Sequence, residues 1–167
     1  TDEVFGPAVG DIVHHEYSAF NPTNPYSASK AAGEDLATAY YYSYKLPISI
    51  SHSMNVFGER QQAAAFIPIV INKALTGETL NIHTDAAGKV PSRNYLYVKD
   101  VSRATTLLLF KKFERIILVP KYNIGQPLSY RIDNIATKIS EALNLPLTVN
   151  FTQSERAFVD TKYSLST

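Results

Sequence analysis

Tyr26 and Lys30 stand four residues apart in the run Tyr26-Ser27-Ala28-Ser29-Lys30. On a helix that spacing puts both side chains on one face, one turn apart. A tyrosine hydroxyl has an ordinary pKa of about 10, so at neutral pH it is a poor base. A nearby ammonium favours the phenolate and lowers that value. Such a pair would take a proton from a substrate hydroxyl as hydride leaves the same carbon. Tyr and Lys at this spacing also occur on ordinary helices, so the motif gains meaning from its neighbours. A second group opens the chain, Thr1-Asp2-Glu3. Two carboxyls in one pocket resist ionising together, so one serves as acid and the other as base. The plain alternative is a pair of surface acids after a strand.

These residues need elements to position them. Asn24-Pro25 reads as a helix N-cap followed by Pro at the first helical position. A long helix is predicted over 26–44, stopped near Lys45-Leu46-Pro47. Ile48, Ile50, His52 and Met54 alternate with Ser49, Ser51 and Ser53, which predicts a strand ending at Asn55-Val56-Phe57-Gly58. Further helices are predicted over 66–75, with Gly77 just beyond, over 100–112, and over 130–143 behind a Ser129 cap. Residues 79–83, 122–124 and 147–151 read as short strands, and 94–97 as extended. Residues 9–23 and 85–92 read as loops. Helices and strands alternate, which indicates an α/β protein. The strands are too few for a complete doubly wound sheet. No G-x-G-x-x-G occurs, although such a loop normally cradles a dinucleotide pyrophosphate.

Composition narrows the classes. The chain has 167 residues, 45% of them hydrophobic, enough for a buried core. Its formal net charge is +1, so no strong field favours nucleic acid or an anionic membrane. Without cysteine, disulfides, thiolate catalysis and cysteine-ligated zinc are excluded. The four histidines have no metal-ligand spacing, so no metal site is expected. No apolar run approaches the about 20 residues that span a bilayer. No signal peptide is visible, and a cytoplasmic protein is the expectation. The chain opens on a motif rather than on Met, and a missing N-terminal part is expected.

Four motifs occur in order: Thr1-Asp2-Glu3-Val4-Phe5-Gly6, Asn24-Pro25-Tyr26-Ser27-Ala28-Ser29-Lys30, Asn55-Val56-Phe57-Gly58-Glu59-Arg60, and Arg93-Asn94-Tyr95-Leu96-Tyr97-Val98-Lys99-Asp100. The series resembles the extended short-chain dehydrogenase/reductases, and among them the nucleotide-sugar 4,6-dehydratases. It runs from Thr1 to roughly Asp160. The resemblance implies an α/β fold, the C-terminal portion of a Rossmann-type parallel sheet with a smaller α/β substrate-binding domain. Residues 1–58 would be the second half of the NAD-binding domain, with Thr1-Asp2-Glu3 at the end of a central strand. Residues 59–167 would be mainly the sugar-nucleotide-binding part, with some segments returning to the first. The missing part would supply the glycine-rich loop.

The resemblance also implies NAD as cofactor and a nucleotide sugar, such as dTDP-glucose, as substrate. Tyr26, helped by Lys30, would deprotonate the C4 hydroxyl, and Lys30 would also hold the cofactor ribose. Thr1 would hydrogen-bond the C4 oxygen. Glu3 would remove the C5 proton, and Asp2 would protonate the departing C6 hydroxyl, giving a 4-keto-6-deoxy sugar nucleotide. Asn55 would contact the phosphates and Arg93 would pair with the diphosphate, a role that suits a bidentate guanidinium. A strand-capping Asn and a solvated Arg are the alternatives. Phe66 begins the helix over the nucleotide, where core packing is the favoured reading, and His83 lies on a strand that flanks the base. The chain departs from the pattern at Ala65, where a Lys is frequent, and over residues 150–156, which are shorter and different and lack the family's nucleotide-contacting segment, with Arg156 not counted among the site residues. Tyr40, Tyr41, Tyr42 and Tyr44 would line a homodimer helix, or else be buried within one protomer. The competing functions are a sugar-nucleotide epimerase or decarboxylase, and a catalytically silent fragment. Alone, these residues are expected to be inactive and to expose apolar surface.

Overall fold

A computed structural model describes residues 1–111, 117–155 and 162–167 of the chain. Arg156, Asp160, Thr161 and the Lys112 end of the helix predicted over 100–112 lie outside these described residues. The first element is a short 3-10 turn, Asp2–Phe5. Then come α1 (Pro25–Tyr44), β1 (Ile50–Ser53), β2 (Asn55–Phe57), α2 (Phe66–Thr76) and β3 (Leu80–Thr84). The remainder is β4 (Ser92–Arg93), β5 (Tyr95–Tyr97), α3 (Val98–Phe110), β6 (Lys121–Ile124), β7 (Tyr130–Arg131), α4 (Ile132–Leu143) and β8 (Val149–Gln153).

Helix α1 starts where its sequence says it must. Asn24 is extended, its Oδ1 accepts from the Ser27 N–H at 2.8 Å, and the Asn24 N–H donates back to Ser27 Oγ at 3.2 Å. This reciprocal box satisfies two orphan donors of the first turn, and Pro25 removes a third. Lys45 ends the helix in the left-handed region at φ 57°, just ahead of Leu46-Pro47. Only Ser27, Ala31 and Glu34 are buried along it, so one narrow stripe faces the protein.

The strand predicted through Met54 is two strands. β1 pairs in parallel with β6, and β2 pairs in parallel with β5. β3 and β8 form a third parallel ladder, and β4 with β7 a short antiparallel one. Gly58 follows β2 at φ 148°, and a Cβ there would meet Val98 Cγ1 at 2.4 Å. Glycine therefore lets α3 begin directly against β2. Ser129 does not cap a helix. Tyr130 and Arg131 stay extended because they pair with Arg93 and Ser92, which moves the start of α4 to Ile132. Ser129 Oγ is left buried with no hydrogen-bond partner among the described residues.

Two apolar clusters form. The first joins Val4, Phe5, Ala31, Met54, Leu96 and Leu165, with Phe20, Val101 and Ile124 against it. The second joins Val70, Leu80, Ile82, Val90 and Ala136, with Ile69, Ile132, Ile139 and Val149 among the side chains packed on it. Strand β3 alternates inward Leu80 and Ile82 with outward Asn81 and His83, as a one-faced strand must. Apolar surface is exposed elsewhere. On α3, Val101 turns toward the first cluster, but Leu107, Leu109 and Phe110 are 74%, 76% and 78% exposed. The α/β reading holds, with three of the four ladders parallel. Among the described residues no helix is long and apolar enough to cross a membrane.

Candidate active site

The opening turn and the head of α1 meet. Thr1 Oγ1 accepts from the Glu3 N–H at 3.4 Å and donates to Asp2 Oδ1 at 3.3 Å. Asn24 Nδ2 donates to Glu3 Oε2 at 3.3 Å. The cap of the Tyr26 helix therefore also holds the second acid of the turn. Gly6 closes the turn at φ 77°, where a side chain would strike the Asn21 carbonyl at 2.5 Å.

The two neighbouring acids differ in environment. Asp2 is 5% exposed, whereas Glu3 is half-buried. Burial pushes the Asp2 carboxyl up to about 6, and the Glu3 carboxylate adds to that rise. Its own amide and Arg93 pull the other way. Asp2 is thus suited to carry a proton near neutral pH.

Tyr26 is 52% exposed, and the Lys30 ammonium lies 5.6 Å from its ring centroid. A cation at that distance is attracted by the ring face. Arg93 reaches the same region from β4, since its charge acts on Asp2. Its Nη1 donates to the Ser92 carbonyl at 2.8 Å, and its guanidinium lies 5.1 Å from the Tyr163 ring centroid. Burial pushes the neighbouring Tyr95 hydroxyl up to about 12.

The other substrate candidates are placed differently. Asn55 begins β2, half-buried, and its N–H donates to the Asn94 carbonyl at 3.2 Å. Phe66 packs on the second apolar cluster, in line with core packing. His83 is exposed on β3, its Nδ1 3.2 Å from Thr152 Oγ1 on β8. An open depression of about 570 Å³ runs along α2, lined by Gly58, Arg60, Pro68, Asn72 and Lys73 among others, and includes none of the candidate residues.

A buried polar group beneath the site escaped the sequence reading. Glu34 lies one turn beyond Lys30 on the inward stripe of α1. Its Oε2 accepts from His52 Nε2 at 2.8 Å, and its Oε1 lies 2.8 Å from the Lys121 ammonium. His52 Nδ1 faces Asn123 Oδ1 at 3.1 Å, and Asn123 Nδ2 donates to the His14 and Ser166 carbonyls. The visible signal was the Tyr26, Lys30, Glu34 repeat at four-residue spacing. The partners were hidden because only the β1–β6 pairing sets His52 opposite Asn123.

Parallel ladders with a Tyr-Lys pair at the head of a capped helix define the class, an α/β protein of the Rossmann type. The chain belongs to the NAD dependent epimerase/dehydratase family, whose model matches residues 1–125. It is similar to a trifunctional UDP-glucose 4,6-dehydratase/UDP-4-keto-6-deoxy-D-glucose 3,5-epimerase/UDP-4-keto-L-rhamnose-reductase of Arabidopsis thaliana. The two are 37% identical over 168 residues, which cover 99% of this chain and 24% of that protein. A dTDP-D-glucose 4,6-dehydratase of Dictyostelium discoideum is 39% identical over 149 residues, covering 83% of this chain and 33% of its own. The crystal structure of dTDP-glucose 4,6-dehydratase from Bacillus anthracis in complex with NAD superposes at a TM-score of 0.85. It is 27% identical, and the match covers 99% of this chain and 50% of that one. The chain thus spans a quarter to a third of these curated relatives and half of that solved structure.

Proposed function

We propose that the protein containing this chain dehydrates a nucleotide-activated hexose, such as dTDP-glucose or UDP-glucose, to a 4-keto-6-deoxy sugar nucleotide. The observation that carries this reading is the joined pair of sites: a buried Asp2 whose carboxyl is raised to about 6 and a half-buried Glu3, tied through Asn24 to the helix that presents Tyr26 and Lys30. Dehydration across C5 and C6 needs an acid and a base together, next to a group that first oxidises C4. The relatives named as dehydratases support the same reaction.

The donor set at the head of α1 fits a nicotinamide dinucleotide. Lys30 offers an exposed ammonium to ribose hydroxyls, over the ring that carries the Tyr26 hydroxyl. NAD, when bound, accepts hydride from the sugar and later returns it. The residues of this chain handle the protons. Tyr26 takes the C4 hydroxyl proton, with the Lys30 ammonium stabilising the phenolate. Thr1 donates to the C4 oxygen. Once C4 is a ketone the C5 hydrogen is acidic, and Glu3 removes it. Asp2, whose carboxyl burial raises to about 6, gives its proton to the departing C6 oxygen. Arg93 and Asn55 are proposed to hold the diphosphate, and Phe66 and His83 to border the nucleotide.

The two apolar clusters support a division near residue 58, with later segments returning to the first part. Leu36, Tyr40 and Tyr44, exposed at helical spacing on α1, support a homodimer through that helix. The 167 residues alone are proposed to be inactive, since they contain no glycine-rich dinucleotide loop. The test incubates the full-length protein with NAD+ and dTDP-glucose or UDP-glucose. A product lighter by one water, with a 4-keto chromophore in alkali, supports the proposal. A C4-epimerised sugar, or released carbon dioxide, refutes it.

A further inference from the structure

Glu34 stands four residues beyond Lys30 on the same helix. Acid and base at that spacing ordinarily reach each other and pair. Here they do not. The Lys30 ammonium sits over the Tyr26 ring, and both Glu34 oxygens are turned the other way, toward His52 on β1 and Lys121 on β6. This carboxylate is 7% exposed and Lys121 is 13% exposed, so the charges meet with little water between them. Lys121 is packed as well as paired, its ammonium 5.6 Å from the Tyr17 ring centroid and 5.2 Å from that of Phe20.

We propose that Lys121, with His52, is a positioning residue that keeps the Glu34 carboxylate occupied and so leaves the Lys30 ammonium to Tyr26 and the cofactor. The groups facing Glu34 are His52 from β1 and Lys121 from β6, with Lys30 one turn earlier on its own helix. Without Lys121, Glu34 Oε1 would be a buried unpaired charge. The long, exposed Lys30 side chain is the mobile cation one turn away. Its descent would remove the positive charge that stabilises the Tyr26 phenolate. This inference rests on the proposed roles of Tyr26 and Lys30.

The test uses the full-length protein and compares Lys121→Met, Lys121→Gln and the double variant Glu34→Gln/Lys121→Met. A crystal structure of either single variant should show Lys30 Nζ within hydrogen-bond distance of Glu34 Oε1. NAD+ affinity, by calorimetry, should fall roughly tenfold in the single variants, the equivalent of one charge-assisted hydrogen bond. The acid limb of the kcat/KM profile should move up by roughly one pH unit. The double variant should restore both, because no carboxylate remains to capture Lys30. A merely structural role predicts a double variant no better than the single ones, and that result overturns the inference. Lys30 still lying over Tyr26 in the single-variant structure overturns it too, whatever the enzyme catalyses. Absence of dehydration in the unaltered protein would instead sink the proposed reaction and leave the structural readout decisive here.

Discussion

Asn24 Nδ2 donates to the Glu3 carboxylate at 3.3 Å while Asn24 Oδ1 accepts from the Ser27 N–H at 2.8 Å. One side-chain amide therefore starts the Tyr26 helix and holds the proposed C5 base. Positions of acid and phenol are coupled through it.

Asn24→Ser should separate those two jobs. Ser is as good an N-cap, so the melting temperature should stay close to that of the unaltered protein. The amide donor to Glu3 is lost, and C5 hydrogen exchange with solvent should slow by roughly tenfold or more through misplacement of the base. Asn24→Ala loses the cap as well and should cost about 1 kcal/mol in denaturant unfolding. Unchanged exchange in both variants would disprove the coupling.

Tyr26→Phe removes only the hydroxyl of a half-exposed side chain. Turnover should fall by about 10²–10⁴, the usual worth of a positioned proton acceptor. NAD+ should still bind, because Lys30 is untouched. A variant retaining full turnover would exclude Tyr26 as the base.

Asp2 gives a pH signature. Its carboxyl is raised to about 6 in the fold, against an ordinary value of 3.8. The protonated form is therefore favoured in the native state, and its contribution is full below pH 3.8 and lost as pH rises through about 6. The shift corresponds to a contribution on the order of 3 kcal/mol. Asp2→Asn, which cannot ionise, should therefore gain stability relative to the unaltered protein between pH 4 and 7, read by denaturant titration, while losing dehydration. A pH-independent difference would contradict burial as the cause.

Glu34 has the opposite sign. Burial opposes its ionisation, but the hydrogen bonds from His52 and Lys121 outweigh that and hold its carboxyl below the ordinary 4.5. Its contribution is present above pH 4.5 and lost as pH falls through the lower folded value. Glu34→Ala leaves the buried Lys121 ammonium without its counter-charge and should cost about 3–5 kcal/mol at pH 7. The penalty should shrink in acid, and an unchanged midpoint at pH 7 would contradict the network.

Much of the local structure was legible in the residues. Asn24-Pro25 marked the start of α1 because a cap needs only neighbours within one turn, and Gly77 marked the end of α2 for the same reason. The strand through Met54 was legible as extended but not as two strands, because period-two alternation carries no information about partners. Ser129 misled because its neighbours Tyr130 and Arg131 answer to Arg93 and Ser92, distant in sequence, before they answer to the helix.

The sequence by itself determined the chemistry on offer: a Tyr and a Lys one helical turn apart, a capped helix to present them, two adjacent acids, and no thiol. These depend on residue type and on spacing within a turn, which chain geometry enforces locally. Only the tertiary structure decided that Asp2 is the buried acid with a raised carboxyl, since that depends on which one the fold covers. It alone joined Glu3 to Asn24, and it alone gave Glu34 to Lys121 and His52 instead of to Lys30. Each of those choices is made by strands and turns meeting across the chain, where burial in low dielectric strengthens one electrostatic pairing and removes its rivals.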